Sequence, residues 1–317
     1  MSVFTPAAGL LGGALIGASA GLLLTTNGDI MGISGIFRSS VLHPGNRWKT
    51  AFVSAFLLTA QLYRRDAPTT ATASPTNIAL VVGGACVGLG TQLGNGCTSG
   101  HGICGLARYS VRSLAAVLTF CGVGAAVAST IANTGSLQQV LRTTEPMLVN
   151  NLWGAAMVGV SVVMLLMTKQ QSSVEGKKTV AALASGAVSS VGMSISGMSQ
   201  VGKVLGFLEV SRLFGPEGGE SWDPTLTMVM ASGVVVSWLC YQLRPESPAC
   251  APEYSVPSNT VIDNSLIMGA TLFGVGWAIA GLCPGPALWN AGAGATPVIM
   301  YWIPAFVAGS FAGESLR

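Results

Sequence analysis

Residues 264 to 313 contain no charged side chain, a run of 50. A second such run covers 67 to 107, 41 residues. Four shorter ones cover 113–141, 146–168, 179–202 and 224–243, each 20 to 29 residues long. About 20 apolar residues suffice for one helical crossing of a bilayer. The shorter runs each fit one span. A single span cannot use 50 residues, so each long run holds more than one element. Only 9% of the chain is charged, against about a quarter in ordinary soluble domains. Mean hydropathy is +0.60. The reading is an all-α, polytopic membrane protein in contact with lipid. A formal net charge of +3 does not point to nucleic acid. The N-terminus lacks a basic stretch and a small-residue cleavage site, so no removable signal peptide is expected.

Nine membrane-level helices are expected, with cores near 10–24, 51–62, 78–93, 111–131, 148–167, 180–193, 226–243, 266–282 and 298–312. Several are shorter than a full crossing. Re-entrant or broken helices are tolerated where they line a cavity. The polar loops between them are too short for a soluble domain. Lys and Arg are spread over several loops, so their distribution does not fix orientation.

Both long runs hold the same small motif. The first copy reads Gly88-x-Gly90 … Gly96-Cys97-Thr98-Ser99-Gly100, the second Gly274-x-Gly276 … Gly281-Leu282-Cys283-Pro284-Gly285. Gly83, Gly88, Gly90 and Cys97 map onto Gly269, Gly274, Gly276 and Cys283 with a constant shift of 186. Gly17 and Gly28 map onto Gly186 and Gly197 with a shift of 169. Paired apolar segments interrupted by glycine point to the substrate site of a repeat-built transporter. The expected organisation is a first repeat over 1–141, a connector over 142–178 with its own membrane helix, and a second repeat over 179–317. An odd number of spans between matching parts would invert one repeat against the other.

The motif chemistry suits a small anion. The glycine density from 83 to 105 disfavours one regular helix. The expected form is a helix ending near 94–96, a tight turn at Cys97–Gly100 and a short helix returning. Pro284 suits a first helical position, which would leave Cys283 at a helix N-terminus, where N–H groups and the dipole favour negative charge. Cys97 and Cys283 are the expected substrate contacts. Asn95, Thr98, Ser99, Gly100, His101, Pro284, Gly285 and Pro286 are expected to shape a constriction around them. Thiols are weak donors and soft contacts, so a sulfur-containing anion is a sensible ligand. Arg108 and Arg112 either snorkel at an interface or draw anions to an entrance. Asp29 either ends its segment or acts inside the membrane. No cofactor, metal or catalytic residue is expected. Cys97, His101 and Cys104 have a ligand-like spacing, but Cys104 has no counterpart in the second copy, where position 290 is Asn. Cys86, Cys121 and Cys240 read as packing residues, and Cys250 as a thiol in a polar loop.

Gly96-Cys97-Thr98-Ser99-Gly100-His101-Gly102-Ile103-Cys104-Gly105-Leu106-Ala107-Arg108, followed by Ser110 and Arg112-Ser113, resembles the first signature of the YeeE/YedE sulfur-transport family. Gly274-x-Gly276-Trp277-x3-Gly281-x-Cys283-Pro284-Gly285-Pro286-Ala287 resembles its second. The resemblance implies an hourglass of two pseudo-symmetric halves that imports inorganic sulfur compounds, thiosulfate foremost, across the plasma membrane for sulfur assimilation. It further implies that Cys97 and Cys283 pass the ion between them by S–H···S hydrogen bonds. Some relatives carry another cysteine in the first re-entrant segment, where this chain has Asn27 and Gly28, which leaves a two-thiol relay. Two other classes stay open on the residues alone. One is a membrane sulfurtransferase with a cysteine persulfide. The other is a metal- or redox-sensing membrane protein.

Overall fold

The computed structural model describes residues 4–42, 45–63, 74–143, 173–214 and 222–316. The expected connector helix at 148–167 lies outside them. The first part of the chain forms α1 (Pro6–Asn27), α2 (Ile33–Leu42), α3 (Arg47–Tyr63), α4 (Asn77–Leu93), a wide π-helical turn (Thr98–Gly105) ending in a 3-10 turn (Leu106–Arg108), α5 (Val111–Asn133) and α6 (Gly135–Leu141). The second part forms α7 (Ser173–Ser196), α8 (Val201–Leu208), a 3-10 turn (Val210–Phe214), α9 (Thr225–Gln242), α10 (Asn264–Ala280), α11 (Pro284–Gly292), a π turn (Val298–Trp302) and α12 (Ile303–Ser315). A two-residue antiparallel ladder joins β1 (Ser74–Pro75) to β2 (Arg142–Thr143).

Five helical stretches among the described residues are long and apolar enough to cross a membrane: Pro6–Asn27, Val111–Asn133, Val174–Ser196, Thr225–Gln242 and Asn264–Gly292. A sixth is α4 with the Thr98–Arg108 segment, bent by 47° at the break. The protein is therefore an all-α, multi-pass membrane protein.

Glycine sets the packing distance. A Cβ on Gly12 would lie 2.5 Å from Gly192 O, and one on Gly88 2.1 Å from Phe306 O. Such close backbone approach is how membrane helices gain contact where lipid supplies no hydrophobic drive. α1 and α7 run antiparallel. Gly12 meets Gly192 and Ser196, Ser19 Oγ donates to Ser185 O at 2.8 Å, and Asn27 Nδ2 reaches Lys178 O. α4 and α10 are antiparallel in the same way, with Gly83 against Ala280 and Gly90 against Phe273. The remaining contacts are reciprocal. α1 packs on α9 while α7 packs on α3, and α4 packs on α12 while α10 packs on α5.

The breaks match as well. α1 stops at Gly28 (φ 77°) and α7 at Gly197 (φ 71°), both left-handed. α4 starts with Thr76 accepting from Ala79 N, and α10 with Asp263 accepting from Leu266 N. Such side-chain caps satisfy N–H groups that the first turn leaves open.

Three short helices escape sequence reading: α2, α6 and α8, whereas α11 begins at Pro284 as expected. The expected turn at Cys97–Gly100 lies earlier, at 94–97. Asn95 there adopts φ 58°, a left-handed conformation that Asn tolerates better than most residues. The wide turn then begins directly at Thr98.

Candidate functional site

The 94–101 segment forms a wall between two cavities. On one side lies an open, polar vestibule of about 460 Å³. Asn95, Gly96, Gly100 and His101 face it, together with Arg108 and Arg112. On the other side lies a small apolar chamber of about 50 Å³. Cys97, Thr98, Ser99, Cys283 and Gly285 line it. The two motif cysteines, 186 residues apart, therefore share one chamber, and both are buried.

Each thiol has a hydroxyl partner. Cys97 Sγ lies 3.3 Å from Ser99 Oγ, and Cys283 Sγ lies 3.4 Å from Thr98 Oγ1. Ser99 Oγ also accepts from Ile33 N–H at 3.1 Å, so its own proton is available to Cys97. Cys283 occupies the N-cap position of α11, with Pro284 at the first helical position. Cys97 holds the same place before the π-helical turn. π-helical turns are rare and frequent at functional sites.

His101 is tied at both nitrogens. Nε2 lies 3.1 Å from Gly94 O, which can only accept, so Nε2 carries a proton. Nδ1 lies 3.0 Å from Ser113 Oγ on α5. The ring thus fastens the wall to α5. Two motif glycines make room for this clamp. A Cβ on Gly96 would lie 2.7 Å from the His101 ring, and one on Gly105 2.3 Å from Ser113 Oγ.

The residues singled out from sequence do not all meet. Asn95, Gly100 and His101 sit on the vestibule side, away from the thiols. Pro284 and Pro286 are buried within α11 and stay off the chamber lining. Cys104 turns away, its Sγ 3.7 Å from Met31 O, so Cys97, His101 and Cys104 do not converge. Among the described residues no three His, Cys, Asp or Glu side chains group together as metal ligands would. Cys250, read as lying in a polar loop, is buried.

Both arginines reach the vestibule while holding a strap. Residues 244–263 connect α9 to α10, and Ser255, Pro257 and Asn259 of this segment line the vestibule. Ala249 N and Cys250 N donate to Thr25 O and Thr26 O, and Ser255 N donates to Gly28 O at 2.7 Å. Arg108 Nη1 donates to Pro257 O at 3.1 Å. Arg112 donates to Val261 O and pairs with Asp263 at 3.2 Å. That arginine and the Leu266 N–H pull the Asp263 carboxyl below its ordinary value, the backbone bond contributing most.

Sequence reasoning misses most of the chamber wall. Met193, Met198 and Met230 line it, with Phe120, Phe207 and Trp277. Cys121, read as a packing residue, also borders it. Nothing in the periodicity separates these from ordinary core.

A family model described as "Sulphur transport" matches residues 31–191. A second, described as a family of unknown function, matches 177–316. A "Probable transporter" of Xylella fastidiosa strain 9a5c is 34% identical over 130 residues, covering 40% of this chain and 84% of the relative. Another "Probable transporter", from strain Temecula1, is 44% identical over 126 residues, covering 38% of this chain and 90% of the relative. Each of these relatives is thus about half as long as this chain. With both cavities, the membrane helices and the matched signatures in view, the chain belongs to the YeeE/YedE sulphur-transport family and is a membrane transporter.

Proposed function

We propose that the protein imports thiosulfate, or a closely related inorganic sulfur anion, across the plasma membrane to supply sulfur assimilation. The carrying observation is the shared chamber. Cys97 and Cys283 come from two distant signatures, line one small apolar space, and each has a hydroxyl within reach. In this reading the vestibule collects the anion. Its terminal sulfur then accepts S–H···S hydrogen bonds from one thiol and next from the other. Thiols are weak donors, so the ion is held loosely enough to move on.

The same reading takes 1–141 and 179–317 as inverted repeats joined by the connector 142–178. Three observations support it: antiparallel pairing of α1 with α7 and α4 with α10, reciprocal packing of their neighbours, and curated relatives of about half this length. The sulfurtransferase alternative gains nothing from the site. Among the described residues, those lining the chamber include no histidine, lysine or carboxylate to assist a nucleophilic thiolate.

The test is uptake of radiolabelled thiosulfate in cells lacking their own importers. Wild type, Cys97→Ala and Cys283→Ala are compared at matched expression. Uptake by wild type and its loss in both variants is expected. Uptake that survives both substitutions returns the cysteines to a packing role.

A further inference from the structure

The vestibule walls hold four cations, Arg38, Lys49, Arg108 and Arg112. Three are engaged by the protein. Arg38 Nη1 lies 3.1 Å from Glu314 Oε2. Arg112 pairs with Asp263, and Arg108 donates to Cys104 O and Pro257 O. Lys49 stands apart. Among the described residues no carboxylate lies within ion-pair distance of it, and its ammonium sits 5.5 Å from the Trp48 ring centre.

Among the described residues lining this cavity, Asp29 supplies the only carboxylate. It follows the left-handed Gly28, and its backbone bridges Ser255 of the strap. Its carboxylate makes no hydrogen bond or ion pair among the described residues. It feels Lys49 and Lys178 without touching either. An ammonium and a carboxylate, each without an ion-pair partner among the described residues, thus share one cavity of about 460 Å³.

We propose that Lys49 and Asp29 form a proton-linked capture site for a divalent oxyanion, the ammonium binding the anion while the carboxylate takes up a proton. The inference rests on reading the chain as an oxyanion carrier. While ionised, Asp29 offsets the field of Lys49 and repels an incoming dianion. Once protonated it is neutral and offers an O–H donor to an anion oxygen. The proton comes from vestibule water and returns there when the anion leaves. Burial pushes the Asp29 carboxyl above its ordinary value, while Lys49 and Lys178 pull it back. The other charged or titratable groups facing this space are Arg38 on α2, Arg108 in the 3-10 turn, Arg112 on α5, and His101 on the wall. His101 has both ring nitrogens occupied.

Equilibrium binding of radiolabelled thiosulfate and of radiolabelled sulfate to the purified full chain, from pH 5 to 8, tests the site. Wild-type affinity for both anions should fall as pH rises, with a limiting slope of about tenfold per pH unit for one linked proton. Asp29→Asn should bind as wild type does at low pH, with no slope. Lys49→Gln should bind about tenfold or more weakly at every pH, and Lys49→Arg should restore binding. A slope that persists in Asp29→Asn overturns the proposal, as does full binding by Lys49→Gln or no binding of either anion at any pH. The Cys97→Ala, Cys283→Ala double variant separates this site from the relay. If it keeps the pH-linked capture but wild type transports no thiosulfate, the relay fails and the capture site stands.

Discussion

Gly269→Ala probes the contact on which the site is built. A Cβ at 269 would lie 2.2 Å from Gly94 N, 2.7 Å from Gly94 Cα and 2.8 Å from Gly90 O. All three are backbone atoms, so no side-chain rotation relieves the clash and α10 must move away from α4. Overpacking typically costs about 1–3 kcal/mol, and a rigid backbone on the far side places this case near about 3. Large chains lose roughly 2–4 °C of melting temperature per kcal/mol, which gives a fall of about 6–12 °C. Gly122→Ala is the matched control. A Cβ there meets nothing within 4 Å, and alanine is favoured over glycine in a helix by about 0.5–1 kcal/mol. Its melting temperature should hold or rise slightly. Unfolding can be followed with a thiol-reactive fluorophore, since Cys97, Cys104, Cys250 and Cys283 are all buried in the fold. Gly94 O is also the acceptor for His101, so Gly269→Ala should lose uptake even where it remains folded. Equal melting of the two variants would refute the close contact and the argument built on it.

Other expectations follow from particular contacts. Thr98→Val removes the hydroxyl beside Cys283; at about 1 kcal/mol for such a bond, thiosulfate uptake should fall about fivefold, and Thr98→Ser should retain it. Cys250 should resist alkylation in the folded protein despite its polar surroundings, and mass spectrometry of the labelled chain would show it. Asp263 titrates below its ordinary value in the fold, so its contribution is complete above the unfolded value. It is lost as pH falls through the folded one, below about pH 4. Asp263→Asn keeps a competent helix cap but loses the charge facing Arg112. Its melting temperature should lie below wild type at pH 7 and show less of the acid-side decline.

The long helices are legible because lipid demands length and a lack of charge, and both can be read directly. The expected cores at 78–93 and 266–282 fall on α4 (77–93) and α10 (264–280) almost residue for residue. α2 is hidden by its brevity and by Arg38, and α8 by Lys203. Lys203 reads as the end of an apolar run but is buried beside Asp223, with 3.3 Å between Nζ and Oδ2. The cysteines are legible because the motif is written twice. His101 is visible as a motif residue, but its two partners lie at Gly94 and Ser113, and only the folded wall shows it as a clamp. The methionines are illegible for a different reason. Met193, Met198 and Met230 sit in apolar runs where any large side chain satisfies the pattern, and only tertiary placement turns them toward the thiols.

The smallness of the thiol chamber has a consequence for any ion that crosses it. A space of about 50 Å³ holds a few water molecules at most. An oxyanion leaving the 460 Å³ vestibule must therefore shed nearly all of its hydration shell at the wall. The chamber returns three thiols, Cys97, Cys121 and Cys283, with two hydroxyls and the polarizable thioethers of three methionines, and its lining among the described residues holds no charge. On the proposed path, the vestibule would select by charge and the chamber by reluctance to dehydrate. On that path strongly hydrated anions would stall at that step, and anions with one soft, poorly hydrated end would pass with the least loss.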